Sequence, residues 1–414
     1  MDEKPASSRA IMFLIFGAGI VTTARAMSMT FVAIELQQTF GLGPATIGFM
    51  LGIGPLLGAA AAPFAGSLSD RVGRKPLLTL TLMAMAVAMN AIGLAQTLLV
   101  FCLAPTLAAV AIAVYGPLSR ALLSDICPAA LRLKHFSWRY TASNVGWTVG
   151  PILGVAAGLA PTTLFIAAGI TYAALALILH FLDLPVLRHC QLHRSPTTLP
   201  LLASIEIAIS DSRMGYFVAG ATLLVAVYGQ WSATLAPYLS ANIIGGVEIF
   251  AYLVSINGAV VLLGNPFARR FIERAGALCA LVAGCLLFGA SQIGFAFSTD
   301  MTGFAISMIV FTIGEILVVP SEFVLIDRIS NDTNRGAYYG AHALSSAGSF
   351  LGPTLGGMTL ATLGAPAMFT LFAGFSAASA LLYVAGIGRP PPNASERGSD
   401  RESKEGDVVA RLAI

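Results

Sequence analysis

The run "PLLTLTLMAMAVAMNAIGLAQTLLVFCLAPTLAAVAIAVYGPLS", residues 76–119, contains no Asp, Glu, Lys or Arg in 44 residues. A helix needs about 20 apolar residues to cross a bilayer, so this run is long enough for two membrane-spanning helices joined by a turn near Gln96. A transmembrane β-barrel would instead show alternating segments of about ten residues, which this continuous apolar run does not. The run therefore predicts an all-α integral membrane protein.

The rest of the chain has the same character. Its 414 residues are 57% hydrophobic and 10% charged, whereas soluble domains carry nearer a quarter charged residues. The mean hydropathy is +0.82. Further runs without charge lie at 36–69, 140–182, 214–247, 275–299 and 336–388. Twelve spans are predicted from these runs, at residues 11–34, 45–68, 76–96, 99–124, 137–159, 163–183, 214–239, 247–269, 276–297, 302–326, 337–361 and 365–387.

Lysine and arginine are distributed unevenly among the predicted loops. Of the 23, only Arg25 and Arg120 fall well inside spans, away from their ends. The others share one side of the topology: the N-terminus, the loops 69–76, 127–139, 188–213, 269–275 and 327–336, and the C-terminal tail. Because positively charged loops remain in the cytoplasm, we expect both termini to be cytoplasmic in a multi-pass protein of the bacterial inner membrane.

Residues 184–213 form the only long polar interruption, and they divide the spans into six and six. The expected organisation is a cytoplasmic N-terminus, a six-helix bundle, a cytoplasmic linker, a second six-helix bundle and a disordered cytoplasmic tail, at 1–10, 11–183, 184–213, 214–388 and 389–414.

The two halves also repeat in sequence. "SRALLSD" at 119–125 matches "SEFVLID" at 321–327, an offset of 202 residues. At the same offset, "NVGWTVGPILGV" at 144–155 matches "SAGSFLGPTLGG" at 346–357. Parallel six-span repeats are a transporter architecture in which the substrate site lies between the halves.

Two motifs are specific. "GSLSDRVGRKP" at 66–76 lies between the second and third spans, and "GWTVGPILG" at 146–154 lies in the fifth. On these motifs, residues 10–388 resemble the major facilitator superfamily, and within it the twelve-span bacterial drug:proton antiporters, including multidrug efflux proteins. The resemblance implies two pseudo-symmetric six-helix bundles that alternate access to a central cavity, which is the major facilitator fold.

The resemblance also assigns roles to both motifs. In the loop it implies a gating element made of Gly66, Asp70, Arg71, Gly73, Arg74 and Lys75. The alternative for this loop is a purely topogenic role, in which its cations only hold it in the cytoplasm. In the fifth span, the antiporter motif implies a cytoplasmic seal associated with export, and its residues are Gly146, Gly150, Pro151 and Gly154. The glycines recur every four residues, so they also allow another helix to approach closely, and helix packing alone is the alternative.

Four ionisable residues lie within spans, where an ionised group costs about 2.5–3.5 kcal/mol on the insertion scale and is a functional candidate by default. Arg120 and Glu322 occupy equivalent positions in the repeats and are predicted to pair across the two halves, or else to be satisfied within their own halves. Glu315 has no symmetric cation, and a carboxyl in a medium of low dielectric constant holds its proton more tightly. We expect Glu315, with Arg25, to couple transport to protons; the alternative is a structural Glu315–Arg25 pair.

The antiporter branch usually carries an arginine early in the fourth span, but Pro105 stands at that place here. The arginine-assisted proton relay of that branch is therefore not expected in its usual form. The central cavity is predicted to be lined by charged, amide and aromatic side chains of several spans: Arg25, Asn144, Trp147, Tyr228, Gln230, Trp231, Glu315, Tyr338 and His342.

The expected function is secondary active transport, the proton-coupled export of amphipathic or drug-like molecules by alternating access. A narrow-specificity carrier of an anionic small molecule (a sugar, organic acid or siderophore), a lipid flippase and a membrane receptor that does not transport are the alternatives. The sequence shows no nucleotide-binding loop or nucleophile elbow, and its five Cys lack ligand spacing, so we expect neither an enzyme nor a metal or other cofactor. The expected partners are the bilayer, a small-molecule substrate and protons, not nucleic acid, and the protein is expected to be a monomer.

Overall fold

A computed structural model describes residues 8–128, 131–158, 160–183, 210–330 and 335–389. Within these ranges the chain forms twelve long helices, three of them interrupted: α1 (Ser8–Met29 and Val32–Phe40), α2 (Pro44–Val72), α3 (Arg74–Gly93), α4 (Leu98–Ile126), α5 (Arg132–Ala156), α6 (Pro161–Phe181), α7 (Ser212–Gln230, a π-helical turn Trp231–Leu235, and Ala236–Asn242), α8 (Gly246–Ala275), α9 (Ala277–Phe297), α10 (Met301–Ile329), α11 (Arg335–Ala343, a 3₁₀ turn Leu344–Ala347, and Gly348–Leu363) and α12 (Ala365–Ile387).

Each predicted span falls on one of these helices, which confirms the all-α membrane fold expected from the sequence. Ten of the helices are long and apolar enough to cross a membrane by themselves. The other two are α5, which carries Arg139 and Asn144, and α11, whose segments are individually short. Both of these helices pack between other helices of the described chain, so less of their surface has to be apolar.

Short connections separate the helices where glycine or a capping residue stops them. Gly73 and Gly276, at equivalent places in the two halves, have φ values of +94° and +87°, which a residue with a Cβ rarely adopts. The Asp300 carboxylate accepts a hydrogen bond of 2.8 Å from the Gly303 amide and begins α10. The predicted linker 184–213, except its last four residues, and the tail from residue 390 lie outside the described residues.

The loops define two faces of the molecule. We call the face with the α2–α3, α4–α5, α8–α9 and α10–α11 connections the basic face. The opposite face, with the α1–α2, α3–α4, α5–α6, α7–α8, α9–α10 and α11–α12 connections, is the neutral face. When the helix turn on either side is counted with each connection, the loops of the neutral face contain no Lys or Arg, whereas every loop of the basic face does.

Glycines bring equivalent helices together in both halves. A Cβ on Gly146 or Gly150 of α5 would lie 2.7 Å from the α1 carbonyl oxygens of Gly19 and Thr23, respectively. A Cβ on Gly352 of α11 would collide with the Ala226 carbonyl of α7. The repeated glycine motif therefore packs α5 on α1 and α11 on α7, each within its own half.

The two halves meet at the neutral face. The Gln38 amide donates a 2.9 Å hydrogen bond to the Ser240 hydroxyl, and the rings of Phe49 and Phe350 pack edge to face with centroids 5.7 Å apart. Gly48 of α2 lies directly against the Pro353 carbonyl of α11. These contacts join α1 and α2 to α7 and α11 on the neutral side of the cavity described below.

Candidate functional site

A cavity of about 320 Å³ lies between the two halves, near the middle of the helices. It is within the size range of small-molecule sites, and its wall is mostly apolar with a few polar groups, as in such sites. Helices α1, α2, α4, α5, α7, α8 and α11 contribute to it. Its aromatic residues are Trp147, Tyr228, Trp231 and Phe250, its methionines are Met29 and Met50, and its hydroxyl residues are Thr30, Thr106, Ser232 and Ser349.

The interruption in α7 shapes one wall of this cavity. The π-helical turn presents the consecutive residues Trp231, Ser232 and Ala233 to the cavity. An α-helix would spread three consecutive residues over most of its circumference. A π-turn widens the helix locally and is frequent at functional sites.

Arg25 is the charged residue that lines the cavity. Its guanidinium carbon lies 5.3 Å from the centre of the Trp147 ring, which is cation–π geometry. Within the described ranges, no carboxylate lies at ion-pair distance from Arg25. Its positive charge is therefore held by an aromatic face and stays available to a molecule in the cavity.

Glu315 lies on α10, next to the cavity wall. The Asn257 side-chain amide of α8 donates to its Oε2 at 2.8 Å and to the Thr312 hydroxyl at 3.0 Å. The Tyr228 phenol lies beside the same carboxyl. Because Tyr228 itself lines the cavity, Glu315 stands one side chain behind the wall rather than on it.

Arg25 and Glu315 do not form an ion pair in the described structure. Both lie near the Tyr228 ring, which stands between the cavity and Glu315. The sequence left open whether Arg25 holds Glu315 ionised. In the structure, the Asn257 amide and the Tyr228 phenol contact this carboxyl instead of Arg25.

Four predicted cavity residues lie elsewhere. Gln230 is fully buried in the second half, where its amide donates to Gln292 at 3.3 Å. The Asn144 amide donates at 2.9 Å to the Tyr140 carbonyl of its own helix. Tyr338 and His342 lie in the basic-face segment of α11. The rotation of each helix about its axis decides which side chains reach a cavity, and packing sets that rotation.

At the basic-face end, α7 and α11 are joined through Asp211. Its carboxylate accepts hydrogen bonds from the Tyr338 hydroxyl and from Arg213 Nη2, the latter at 2.9 Å. Burial by itself would raise the pKa of Asp211, but the hydrogen bonds from Arg213 and Tyr338 outweigh burial and lower this pKa. Tyr338 is therefore part of a buried polar cluster, which explains its distance from the cavity.

The predicted pair between Arg120 and Glu322 is not formed. Glu322 is 8% exposed and accepts a hydrogen bond from Tyr383 of α12, and its Oε2 lies 3.5 Å from His342 Nε2 of α11. Arg120 is exposed on α4. Glu322 is thus satisfied within its own half, by Tyr383 and His342.

The predicted gating loop contacts its own half. Arg74 Nε lies 2.8 Å from an Asp125 oxygen at the end of α4, and Lys75 Nζ donates at 2.9 Å to the Leu182 carbonyl after α6. Gly66 has open space where a Cβ would stand. The side chains of Asp70 and Arg71 lie outside the described part, so the gating role of this loop stays a prediction.

Sequence reasoning missed three polar residues. Asn257 and Tyr383 contact the glutamates, and Arg139 of α5 donates to Ser119, the residue before Arg120. Asn257 and Tyr383 are uncharged and lie on helices other than those of the glutamates they contact, so no spacing in the sequence connects them. Arg139 is the last charge before the run 140–182, which made it look like a loop residue.

Comparison with known proteins gives this architecture a family. The model of the Major Facilitator Superfamily matches residues 14–347. The uncharacterized MFS-type transporter YqjV of Bacillus subtilis is 29% identical over 88% of both chains. A Na⁺, Li⁺, K⁺/H⁺ antiporter of Planococcus maritimus is 26% identical, over 91% of this chain and 95% of its own.

A third relative and one solved structure agree with this assignment. Multidrug resistance protein MdtG of Salmonella paratyphi A is 24% identical, over 86% of this chain and 90% of its own. The crystal structure of the nucleoside transporter NupG superposes with a TM-score of 0.79 at 15% identity, over 92% of this chain and all of that chain, which shows the fold alone. Two glycine-packed halves around a central cavity, together with a family match over most of its length, make this chain a member of the Major Facilitator Superfamily, a membrane transporter of small molecules.

Proposed function

We propose that the protein exports amphipathic small molecules in exchange for protons. The observation that carries this proposal is the position of Glu315, a carboxyl on α10 that is hydrogen-bonded by Asn257 and lies behind the cavity residue Tyr228. A carboxyl at this depth is costly when ionised, and such residues are typical of proton relays. The aromatic and methionine side chains of the cavity suit an amphipathic substrate.

In this proposal Glu315 takes a proton when the cavity faces outward and the substrate leaves, and it releases that proton inside as the next substrate binds. The Asn257 amide favours the ionised carboxylate, since a hydrogen bond to an ionised acceptor is stronger than one to a neutral acceptor. Protonation therefore weakens the contact between α8 and α10 next to the cavity. The proton gradient supplies the energy, and no other cofactor is required.

We propose further that the basic face is cytoplasmic, with both termini there, in the bacterial inner membrane. Lys and Arg in the basic-face loops support this orientation through the positive-inside rule. The contacts that join the halves at the neutral face then close the outer side. A protein whose substrate cavity lies between its own two halves can work as a monomer.

The test is proton-driven flux of a lipophilic dye in proteoliposomes, with wild type compared with Glu315→Gln. We expect wild type to move dye under a pH gradient, and Glu315→Gln to bind dye but not to move it above the protein-free level. Glu248→Gln, which neutralises an exposed acid at the start of α8, is the matched control and should behave as wild type.

Two results would contradict the proposal. Equal flux by wild type and Glu315→Gln would make Glu315 structural. Absence of flux in both would remove the multidrug substrate class.

A second candidate is a carrier of an anionic small molecule. The observation that favours it is Arg25, which lines the cavity and is held by Trp147 rather than by a carboxylate in the described part of the chain. Competition of dye transport by anions, and not by cations of the same size, would support this candidate, and Arg25→Gln should abolish that competition.

A further inference from the structure

Arg120 lies on the path between the cavity and the basic face. The α4 residues that line the cavity are Pro105, Thr106, Ala109 and Ile112. In an α-helix, Gly116 and Arg120 continue the same face at intervals of about four residues. The Arg120 guanidinium lies over Gly116, with nitrogens 3.8 and 3.9 Å from where a Cβ of that glycine would stand. A solute that moves between the basic face and the cavity therefore passes Arg120.

A second guanidinium lies close to the first. Arg139 of α5 donates through Nη2 to the Ser119 hydroxyl at 3.2 Å, and its charge repels that of Arg120. Only 9% of Arg139 is exposed, and its Nε has no hydrogen-bond partner among the described residues. A buried polar atom without a partner costs about 1–3 kcal/mol, so this nitrogen marks a place where an acceptor would be stabilising.

The nearby carboxylates are used elsewhere. Glu322, the symmetric counterpart of Arg120, contacts Tyr383 and His342. Asp125, one turn further along α4, contacts Arg74. In the described residues no carboxylate lies within ion-pair distance of Arg120 or Arg139, so two like charges stand together without a counter-ion.

We propose that Arg120 and Arg139 form an anion-binding site between the cavity and the basic face, which takes the carboxylate, sulfonate or phosphate group of an amphipathic solute. The planar guanidinium presents paired donors that match such oxygens, and water is partly excluded around Arg139. This inference rests on the proposed function, because it assumes that the solute passes through the cavity. It narrows the substrate class to amphipathic anions, which Arg25 in the cavity would receive next.

The site can be tested by equilibrium binding, which does not require coupled transport. The protein is placed in phosphatidylcholine nanodiscs and titrated with benzoate, benzyl alcohol and benzyltrimethylammonium, which share one aromatic ring and differ in charge. All variants carry Arg25→Gln, so that binding at the cavity cation does not contribute. We expect benzoate to bind, and Arg120→Gln to weaken its binding at least tenfold without changing the binding of benzyl alcohol.

Further variants separate charge from packing. Arg120→Lys should recover part of the benzoate binding that Arg120→Gln loses, since it keeps the charge but not the planar fork. Arg270→Gln, at an exposed arginine of α8, should leave benzoate binding unchanged. Because Arg139→Gln risks misfolding, Arg139→Lys is the second variant and should weaken benzoate by several fold through loss of the planar fork. Benzoate binding that is equal with and without Arg120→Gln would overturn the site, as would equal weakening of all three probes.

A lipid headgroup carries the same anionic oxygens, so the titration is repeated with phosphatidylglycerol in the nanodisc. Competition by this lipid that depends on Arg120 would assign the site to a lipid headgroup, and its absence assigns it to a solute. If Glu315→Gln leaves dye flux intact while benzoate binding still depends on Arg120, proton coupling at Glu315 fails and the anion site stands.

Discussion

At the scale of single residues, the Asn257 amide is the polar group that the structure adds to Glu315. One amide hydrogen goes to Glu315 and the other to Thr312, whose hydroxyl donates in turn to the Met308 carbonyl. This chain of donors fixes the direction of the amide, so that it offers a hydrogen to the carboxylate. Asn257 therefore acts on proton exchange through Glu315.

We expect Asn257→Leu to move the pH midpoint of proton-driven transport to higher pH. The substitution keeps the branching and the number of side-chain heavy atoms but removes a donor that stabilises the ionised carboxylate, so Glu315 would keep its proton to higher pH. A hydrogen bond to a charged group is worth about 1.5–3 kcal/mol, which corresponds to a shift of about one pH unit or more. The measurement is dye flux as a function of pH.

The control for this prediction is Asn265→Leu, two turns further along α8, where the amide bonds Tyr140 instead. Its midpoint should match wild type. If Asn257→Leu loses activity with an unmoved midpoint, Asn257 has only a structural role.

At this scale the sequence predicted the charged residues but not their partners. Glu315 was identifiable because a carboxyl inside an apolar helix is rare and costly. Asn257 and Tyr383 were not, since neutral polar residues are ordinary in membrane helices and their partners are some 60 residues away.

At the scale of helices, the repeated glycine motif has the same role in each half. Gly150 of α5 and Gly352 of α11, 202 residues apart, both lie against backbone carbonyls of the first helix of their own half. The motif brings two helices within the closest distance that backbones allow. Its immediate physical effect is therefore packing within each half, and any part in sealing the cavity acts through that packing.

Gly150→Ala should lower the thermal stability of the purified protein. Its Cβ would lie 2.7 Å from the Thr23 carbonyl oxygen and 2.8 Å from the Ala26 methyl, so α1 and α5 would have to separate. Such overpacking costs about 1–3 kcal/mol. The midpoint of thermal unfolding in detergent measures it.

Gly374→Ala is the matched control, because no atom of the described residues outside its own stretch of α12 lies within 4 Å of the added Cβ. That variant should melt at the wild-type temperature or slightly above it. Equal melting temperatures for Gly150→Ala and Gly374→Ala would show that the tight crossing of α1 and α5 does not limit stability.

The positions of the helices were predictable, because membrane spans are long apolar runs that end at glycine, proline or charged residues. The interruptions within α1, α7 and α11 were not predictable. The sequence from Trp231 to Leu235 reads as ordinary helix, and its π-turn depends on the neighbours that surround α7, among them Phe250 of α8.

At the scale of the whole molecule, the two halves are held together at the neutral face and share a cavity below it. Alternating access requires the contacts between Gln38 and Ser240, and between Gly48 and Pro353, to separate during each cycle. Both pairs join the first half to the second.

We expect a short bis-methanethiosulfonate cross-link between Gln38→Cys and Ser240→Cys to stop transport. The Gln38 amide lies 2.9 Å from the Ser240 hydroxyl, and because cysteine is shorter than glutamine, a linker that spans the remaining gap is needed to hold the neutral face shut. Dye flux should fall to the protein-free level after cross-linking and return after reduction. The pair Thr39→Cys with Ser240→Cys is the control, since Thr39 is turned toward Glu35 of its own helix.

If the protein with the confirmed cross-link transports at the wild-type rate, the neutral-face contacts do not open during the cycle. The alternating-access proposal for this face would then fail.

The sequence by itself determined the membrane class, the twelve spans, the twofold repeat and the family, because each depends on local composition or on motifs contiguous in the chain. Only the tertiary structure decided which side chains meet. Arg120 and Glu322 are equivalent in the repeat, yet Glu322 turns to Tyr383 and His342 while Arg120 stays exposed beside Arg139. The physical reason is that helix rotation and side-chain direction are set by packing against other helices, and a repeat in sequence does not contain that information.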